Sequence, residues 1–139
     1  MKGRKVVVGV TGGIAAYKAA ELVRLLVKEG AVTKVAMTRH ATKFITPLTL
    51  ETLSGNRVIA DMWSPETHPL DHITWGQDSE LIIIAPATAN FIGKMAHGIG
   101  DDFLYVDFGD TAQAVAVRTG AVRGIEGKGV RLRFIVGNA

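Results

Sequence analysis

The stretch KVVVGVTGGIAAYKAAELVRLL, Lys5 to Leu26, decides the fold. Its first six residues form a β-branched run that stops at Thr11-Gly12-Gly13, a turn signal. From Ile14 the period becomes that of a helix. Ile14, Tyr17 or Lys18, Leu22, Leu25 or Leu26 and Glu29 recur at three- and four-residue steps, and Gly30 supplies the stop. AVTKVAMT, Ala31 to Thr38, then reads as a second strand. Strand, helix and strand in this order make a βαβ unit, whose two strands lie parallel.

A second stretch, LIIIAPATANFIGKMAHGIGDD (Leu81 to Asp102), repeats the pattern. The unbroken apolar run ELIIIA predicts a strand buried on both faces that stops at Pro86. Thr88 to Gly98 then has helical spacing through Phe91, Ile92 and Met95. In between, residues 39 to 55 read as helical pieces broken at Pro47 and closed by Ser54-Gly55-Asn56. RVIADMW reads as a short strand or extended segment, SPETHPLD as a loop, and His72 to Gln77 as a helical turn. After Leu104 the periodicity weakens, although AVAV and VRLRFIV each fit a strand. The architecture expected is α/β: a Rossmann-like, doubly wound parallel sheet with helices on both faces, formed by residues 1–139 as a single domain.

Composition narrows the function. A net charge of +3 is too small to argue for a nucleic-acid partner. The late basic positions Arg118, Arg123, Lys128, Arg131 and Arg133 read as solvated surface rather than a phosphate-facing patch. With no cysteine, the chain offers no disulfide, thiolate metal site or cysteine nucleophile, and no metal site is expected. The N-terminal apolar run is too short for a signal peptide, and no stretch approaches a membrane span, so a cytoplasmic location is expected.

In open parallel sheets, ligands bind beyond the carboxyl ends of the strands, where strand order reverses. Three such ends carry small or polar residues: Thr11-Gly12-Gly13, Met37-Thr38-Arg39 and Pro86-Ala87-Thr88-Ala89-Asn90. Gly12 and Gly13 allow close approach to the backbone. The helix beginning at Ile14 offers unpaired N–H groups and a positive dipole end to an anion. Thr38 and Thr88 add hydroxyls, and Asn90 adds a donor and an acceptor. Such a set suits an anionic, partly aromatic ligand such as a nucleotide or flavin phosphate. The opposing reading is a tight turn at the glycines and a helix cap at Thr88. Neither GxGxxG nor a P-loop is present, and Met37-Thr38-Arg39 lacks the acidic residue that grips an adenosine ribose, which disfavours a conventional dinucleotide site.

VTGGIAAYKAAELVRLL, VAMTRHATKFITPLTLETLSGN, DHI and LIIIAPATANFIGKMAHGIGDDFL together closely resemble the flavin-binding domain of phosphopantothenoylcysteine decarboxylases. The resemblance runs from about Lys5 to Leu104; residues 105–139 form a divergent tail. It implies FMN-dependent decarboxylation of 4'-phosphopantothenoylcysteine, a small phosphorylated substrate, to 4'-phosphopantetheine in coenzyme A biosynthesis. It also implies a homo-oligomer, trimer or dodecamer, with FMN at a subunit interface and the helix from Thr46 to Leu53 packed against a neighbour. By resemblance Gly12, Gly13, Ile14, Thr38, Arg39, Thr88, Ala89, Asn90 and Phe91 contact the cofactor. His72 matches the active-site histidine of the family, and an imidazole titrating near ~6.5 exchanges protons at neutral pH. Spacing alone does not rank His72 above His40, His68 or His97. His68 lies in the proline loop, and His97 beside Gly98 reads as a favourable helix-end charge.

The resemblance then stops. The family continues with a Pro-Ala-Met-Asn motif, associated with the substrate carboxylate, and with a later cysteine. Here no proline follows Pro86, no methionine follows Met95, and cysteine is absent. Two explanations fit: a tail out of frame or truncated relative to a full decarboxylase, or a genuine variant. Three alternatives therefore stand beside the decarboxylase: a non-catalytic FMN-binding or regulatory subunit, a flavin prenyltransferase relative, and a structural domain without cofactor.

Overall fold

The computed structural model describes residues 1–61, 63–68, 71–101, 103–106, 114–119 and 134–136, with 71–73, 96, 105–106, 114–119 and 134–136 described by backbone alone. Strand β1 (Lys5–Val10) leads through a 3₁₀ turn (Ile14–Ala16) into helix α1 (Tyr17–Lys28), and β2 (Val32–Met37) follows. A second 3₁₀ turn (Ala41–Lys43) precedes α2 (Pro47–Ser54) and β3 (Val58–Ile59). Then come α3 (Asp71–Asp78), β4 (Leu81–Ala87), α4 (Ala89–Ala96), α5 (Phe103–Val106), β5 (Ala114–Thr119) and β6 (Phe134–Val136).

The six strands lie in the order β3-β2-β1-β4-β5-β6. Pairing is parallel from β3 through β5, so the expected doubly wound sheet is present, while β6 adds an antiparallel edge beside β5. AVAV and the FIV of VRLRFIV are thus strands, and Arg118 falls within β5. Arg123, Lys128, Arg131 and Arg133 lie outside the described residues.

Alternation along the strands sorts the core into two layers. Val6, Val8, Val10, Val35 and Met37 face α1 and α2, with Val23, Leu26 and Leu50 packed on them. Val7, Ala36, Ile82 and Ile84 face the other way, against Trp75 of α3, Phe91 of α4 and Leu104 of α5. Helices therefore cover both faces, as the two-sided apolar strands require. Gly9 serves this second layer: a Cβ there would meet Ile84 Cδ1 and Leu104 Cδ1, each at 2.5 Å. Its missing side chain is room taken by its neighbours.

Two boundaries differ from expectation. Pro47 begins α2 instead of breaking a helix, because the first helical position needs no N–H. Thr46 caps that start by accepting from the Thr49 amide at 3.3 Å, and Gly55, at φ 69°, closes the helix. Strand β4 continues through Pro86 to Ala87. Its pairing with β5 shifts register between Ile84 and Ala87, and a proline is accommodated in such an irregularity. Residues 64–68, within the expected proline loop, contain no helix or strand; Pro69 and Leu70 lie outside the described residues, and Asp71, the last residue of that stretch, opens α3.

Candidate functional site

Strand order reverses between β1 and β4: the chain proceeds outward to β2 and β3, then returns to β1's other side. The two loops singled out in the sequence therefore leave adjacent strands at the same sheet edge. They are also bonded to each other. The Thr11 amide donates to the Pro86 carbonyl at 3.2 Å, and Thr11 Oγ1 donates to that same oxygen. Thr11 Oγ1 in turn accepts from the Thr88 amide at 3.0 Å. One buried hydroxyl thus uses its proton on one side of a peptide pair and a lone pair on the other.

The third strand end joins through Gly12. A Cβ on Gly12 would lie 2.5 Å from His40 Cβ and 2.8 Å from the His40 carbonyl carbon. The space beside Gly12 is therefore filled by the loop after β2, so this glycine is needed for packing of protein on protein. That revises the expectation of ligand approach for Gly12. At Gly13 a Cβ would stand in ordinary contact with Thr88 Cγ2 at 3.8 Å and Pro86 Cγ at 3.9 Å, so a methyl group fits there without strain and the β1 and β4 loops lie side by side.

Gly13 N donates to Thr11 O and Ala16 N to Gly13 O, whereas among the described residues the amides of Gly12, Ile14 and Ala15 donate to no backbone acceptor. Gly13 provides no side-chain cap, so the N-terminal end of the 3₁₀ turn and α1 carries its orphan donors and partial positive charge toward the strand ends. Ile14 is 78% exposed and Tyr17 61%, an unusual showing for large apolar residues at a helix start.

The remaining expected residues divide. Thr38 is buried, and its hydroxyl accepts from the Ala41 amide at 3.3 Å, which holds the β2 loop. Arg39 follows it on the surface, its carbonyl accepting from Thr42 Oγ1 at 2.6 Å. Thr88 is half-buried and caps α4, accepting from the Phe91 amide at 3.2 Å; Ala89 and Asn90 are exposed on the first turn. The cap reading and the convergence of the loops are thus both true of Thr88. Phe91 is fully buried in the second core layer, so a ligand contact by its ring has no surface to use. His72 is the second residue of α3, and its side chain lies outside the described residues. His97 places Nδ1 2.7 Å from the Gly93 carbonyl at the α4 terminus, as its position suggested, and His68 is exposed. Lys94 pairs with Asp101 at 2.9 Å, which holds the Asp101 carboxyl below its ordinary range, first through the hydrogen bond and then through charge.

Thr11, singled out in the sequence only as part of the Thr11-Gly12-Gly13 strand end, is the residue whose own role the sequence left unassigned. Its signal is a hydroxyl directly after the apolar run of β1 and before the glycine pair. A cleft of about 250 Å³ at the β3 edge, lined in part by Lys34, Arg57, Glu66 and Trp75, contains none of these strand-end residues. Among the described residues no helix is long and apolar enough to cross a membrane, and no group of three or more His, Cys, Asp or Glu is placed to hold a metal.

Comparison with known proteins places this geometry. The pattern of the Flavoprotein family matches residues 1–108. The coenzyme A biosynthesis bifunctional protein CoaBC of Borreliella burgdorferi is 48% identical over 103 residues, covering 74% of this chain and 26% of that protein. CoaBC of Vibrio cholerae is 42% identical over 118 residues, covering 84% and 30%. The chain thus spans between about a quarter and a third of the length of these curated relatives. Among solved structures, the FMN-dependent cysteine decarboxylase TvaF from thioviridamide biosynthesis superposes with a TM-score of 0.81 at 21% identity, covering 90% of this chain and 78% of that one. That likeness is one of fold.

Proposed function

The chain belongs to the Flavoprotein family, and from that membership we propose that it binds FMN and decarboxylates 4'-phosphopantothenoylcysteine to 4'-phosphopantetheine in coenzyme A biosynthesis. One observation carries the reading: the Thr11 hydroxyl ties the β1 and β4 loops together beside the amides of Gly12, Ile14 and Ala15, which among the described residues donate to no backbone acceptor. The two segments that the resemblance assigns to the cofactor thereby stand side by side.

The residues present fit the cofactor. Amides at a helix start are suited to a phosphate, and half-buried Gly13, with no side chain, leaves its peptide accessible to a ligand. Thr88 and Asn90 offer polar groups to the heteroatoms of that ring, and the exposed Ile14 offers an apolar surface. Thr38 and Arg39 stand at the neighbouring strand end, Arg39 with a permanent charge for a phosphate. FMN, when bound, supplies the two-electron chemistry that the amino-acid side chains lack. In this reading His72 exchanges the proton that decarboxylation requires. Residues 1–139 act as one cytoplasmic domain. The exposed Ile14, Tyr17 and Leu48 support assembly into a homo-oligomer, trimer or dodecamer, with FMN at the interface.

The test is to supply FMN and 4'-phosphopantothenoylcysteine to the purified chain. Flavin absorbance retained after desalting, with release of carbon dioxide and 4'-phosphopantetheine, is expected; a colourless protein overturns the reading. A yellow protein without turnover would leave FMN binding standing and remove the decarboxylation.

A further inference from the structure

Thr11 has a role that neither the family resemblance nor the comparisons assign. We propose that Thr11 is a positioning residue whose side-chain hydroxyl sets the spacing of the two FMN-contacting loops by fixing the β4 loop against the β1 loop. This inference rests on the FMN reading above.

Thr11 is 1% exposed, so a ligand cannot use its hydroxyl directly. That hydroxyl acts on peptide groups of Pro86 and Thr88, which flank the irregular end of β4. The regular ladder between β1 and β4 runs only from Val6–Leu81 to Gly9–Ile84. Beyond it, the described contacts between the two strand ends are the Thr11 amide bond to Pro86 and the two bonds of the hydroxyl. The first restrains one carbonyl. The hydroxyl also restrains the Thr88 amide, and through it the start of α4, where Ala89 and Asn90 stand exposed. Gly13, two residues from Thr11, lies against the same β4 segment: a Cβ built there would touch Thr88 Cγ2 at 3.8 Å. A hydroxyl at position 11 therefore fixes how the Gly12–Ala15 amides and the start of α4 stand relative to each other.

Serine retains both bonds. Valine keeps the shape and loses both, leaving the Thr88 amide without its acceptor. We would compare wild type, Thr11→Ser and Thr11→Val in three measurements: FMN titration, thermal unfolding without FMN, and amide hydrogen exchange at Thr88. Thr11→Ser is expected to bind FMN within threefold of wild type. Thr11→Val is expected to bind at least tenfold more weakly and to lose protection at the Thr88 amide. A merely structural role would lower the unfolding temperature while leaving the affinity of the folded protein unchanged, and that result overturns the proposal. If Thr11→Val does not fold, exchange in wild type decides: protection at Thr88 matching the β4 amides supports the bridge, and free exchange overturns it. Wild type that refuses FMN overturns the functional reading and this inference with it, whereas wild type that binds while Thr11→Val binds equally well overturns this inference alone.

Discussion

Replacing Gly12 and Gly13 one at a time by alanine separates packing from ligand binding at adjacent positions. Non-bonded carbons approach to about 3.5–4.0 Å. A Cβ on Gly12 would stand 2.5 Å from His40 Cβ and 2.8 Å from the His40 carbonyl carbon. Relief requires a shift of about 1 Å in the loop after β2, because neither atom can swing away by a rotamer change. That loop is held by the bonds from the Ala41 amide to Thr38 O at 3.0 Å and to Thr38 Oγ1 at 3.3 Å. Overpacking of this kind costs about 1–3 kcal/mol, which for a chain of this size lowers the unfolding temperature by about 3–10 °C. Gly13 differs. Its φ of −128° and ψ of 162° are open to any residue, and its nearest neighbours would be at ordinary contact distance. Alanine there is expected to leave stability unchanged or raise it by about 0.4–1 kcal/mol. Its methyl group, however, fills the space beside Thr88 and Pro86 between the two FMN-contacting loops, and FMN affinity is expected to fall about tenfold, or about 1.4 kcal/mol. Thermal unfolding of both apo variants, followed by FMN titration, checks the pair. A Gly13→Ala protein destabilised as much as Gly12→Ala, or one binding FMN like wild type, would refute the reasoning.

Other outcomes are expected on the same grounds. Phe91→Ala removes a fully buried ring from the second core layer and should cost about 3–5 kcal/mol by denaturant unfolding, enough to unfold a marginal domain. His72→Asn should retain FMN within threefold while carbon dioxide release falls about 10²–10⁴-fold; unchanged release would remove His72 from the proton step. The Asp101 carboxyl, followed by NMR titration, should ionise below its ordinary 3.8 and return toward it in Lys94→Met. Because the folded pKa is the lower one, the associated stability is present above the unfolded value and is lost as pH falls through the folded value. For this exposed pair the change in unfolding temperature should be small.

Much of the fold was legible because the periods are local properties of the chain. The β-branched run at Lys5–Val10, the helical spacing after Ile14 and the stop at Gly30 each stand in the structure within a residue or two. Pro47 misled because its effect depends on its position: inside a helix it breaks, at the first position it initiates. Pro86 misled because strand pairing is decided by the partner, and β5 accommodates it with a register shift. At the site, the proximity of the β1 and β4 loops followed from parallel topology and the family resemblance. What each residue does there was not legible, since it depends on neighbours distant in sequence. Gly12 faces His40, Phe91 turns its ring into the core, and the Thr11 hydroxyl reaches residues 75 and 77 positions away.

The most direct measurement is an FMN titration of the isotope-labelled chain followed by backbone amide NMR. The account predicts that Gly12–Ala15 and Thr88–Asn90 shift together along one saturating curve while amides of the β3 edge stay still. Shifts confined to one of the two loops, or none at saturating FMN in a folded sample, would contradict it.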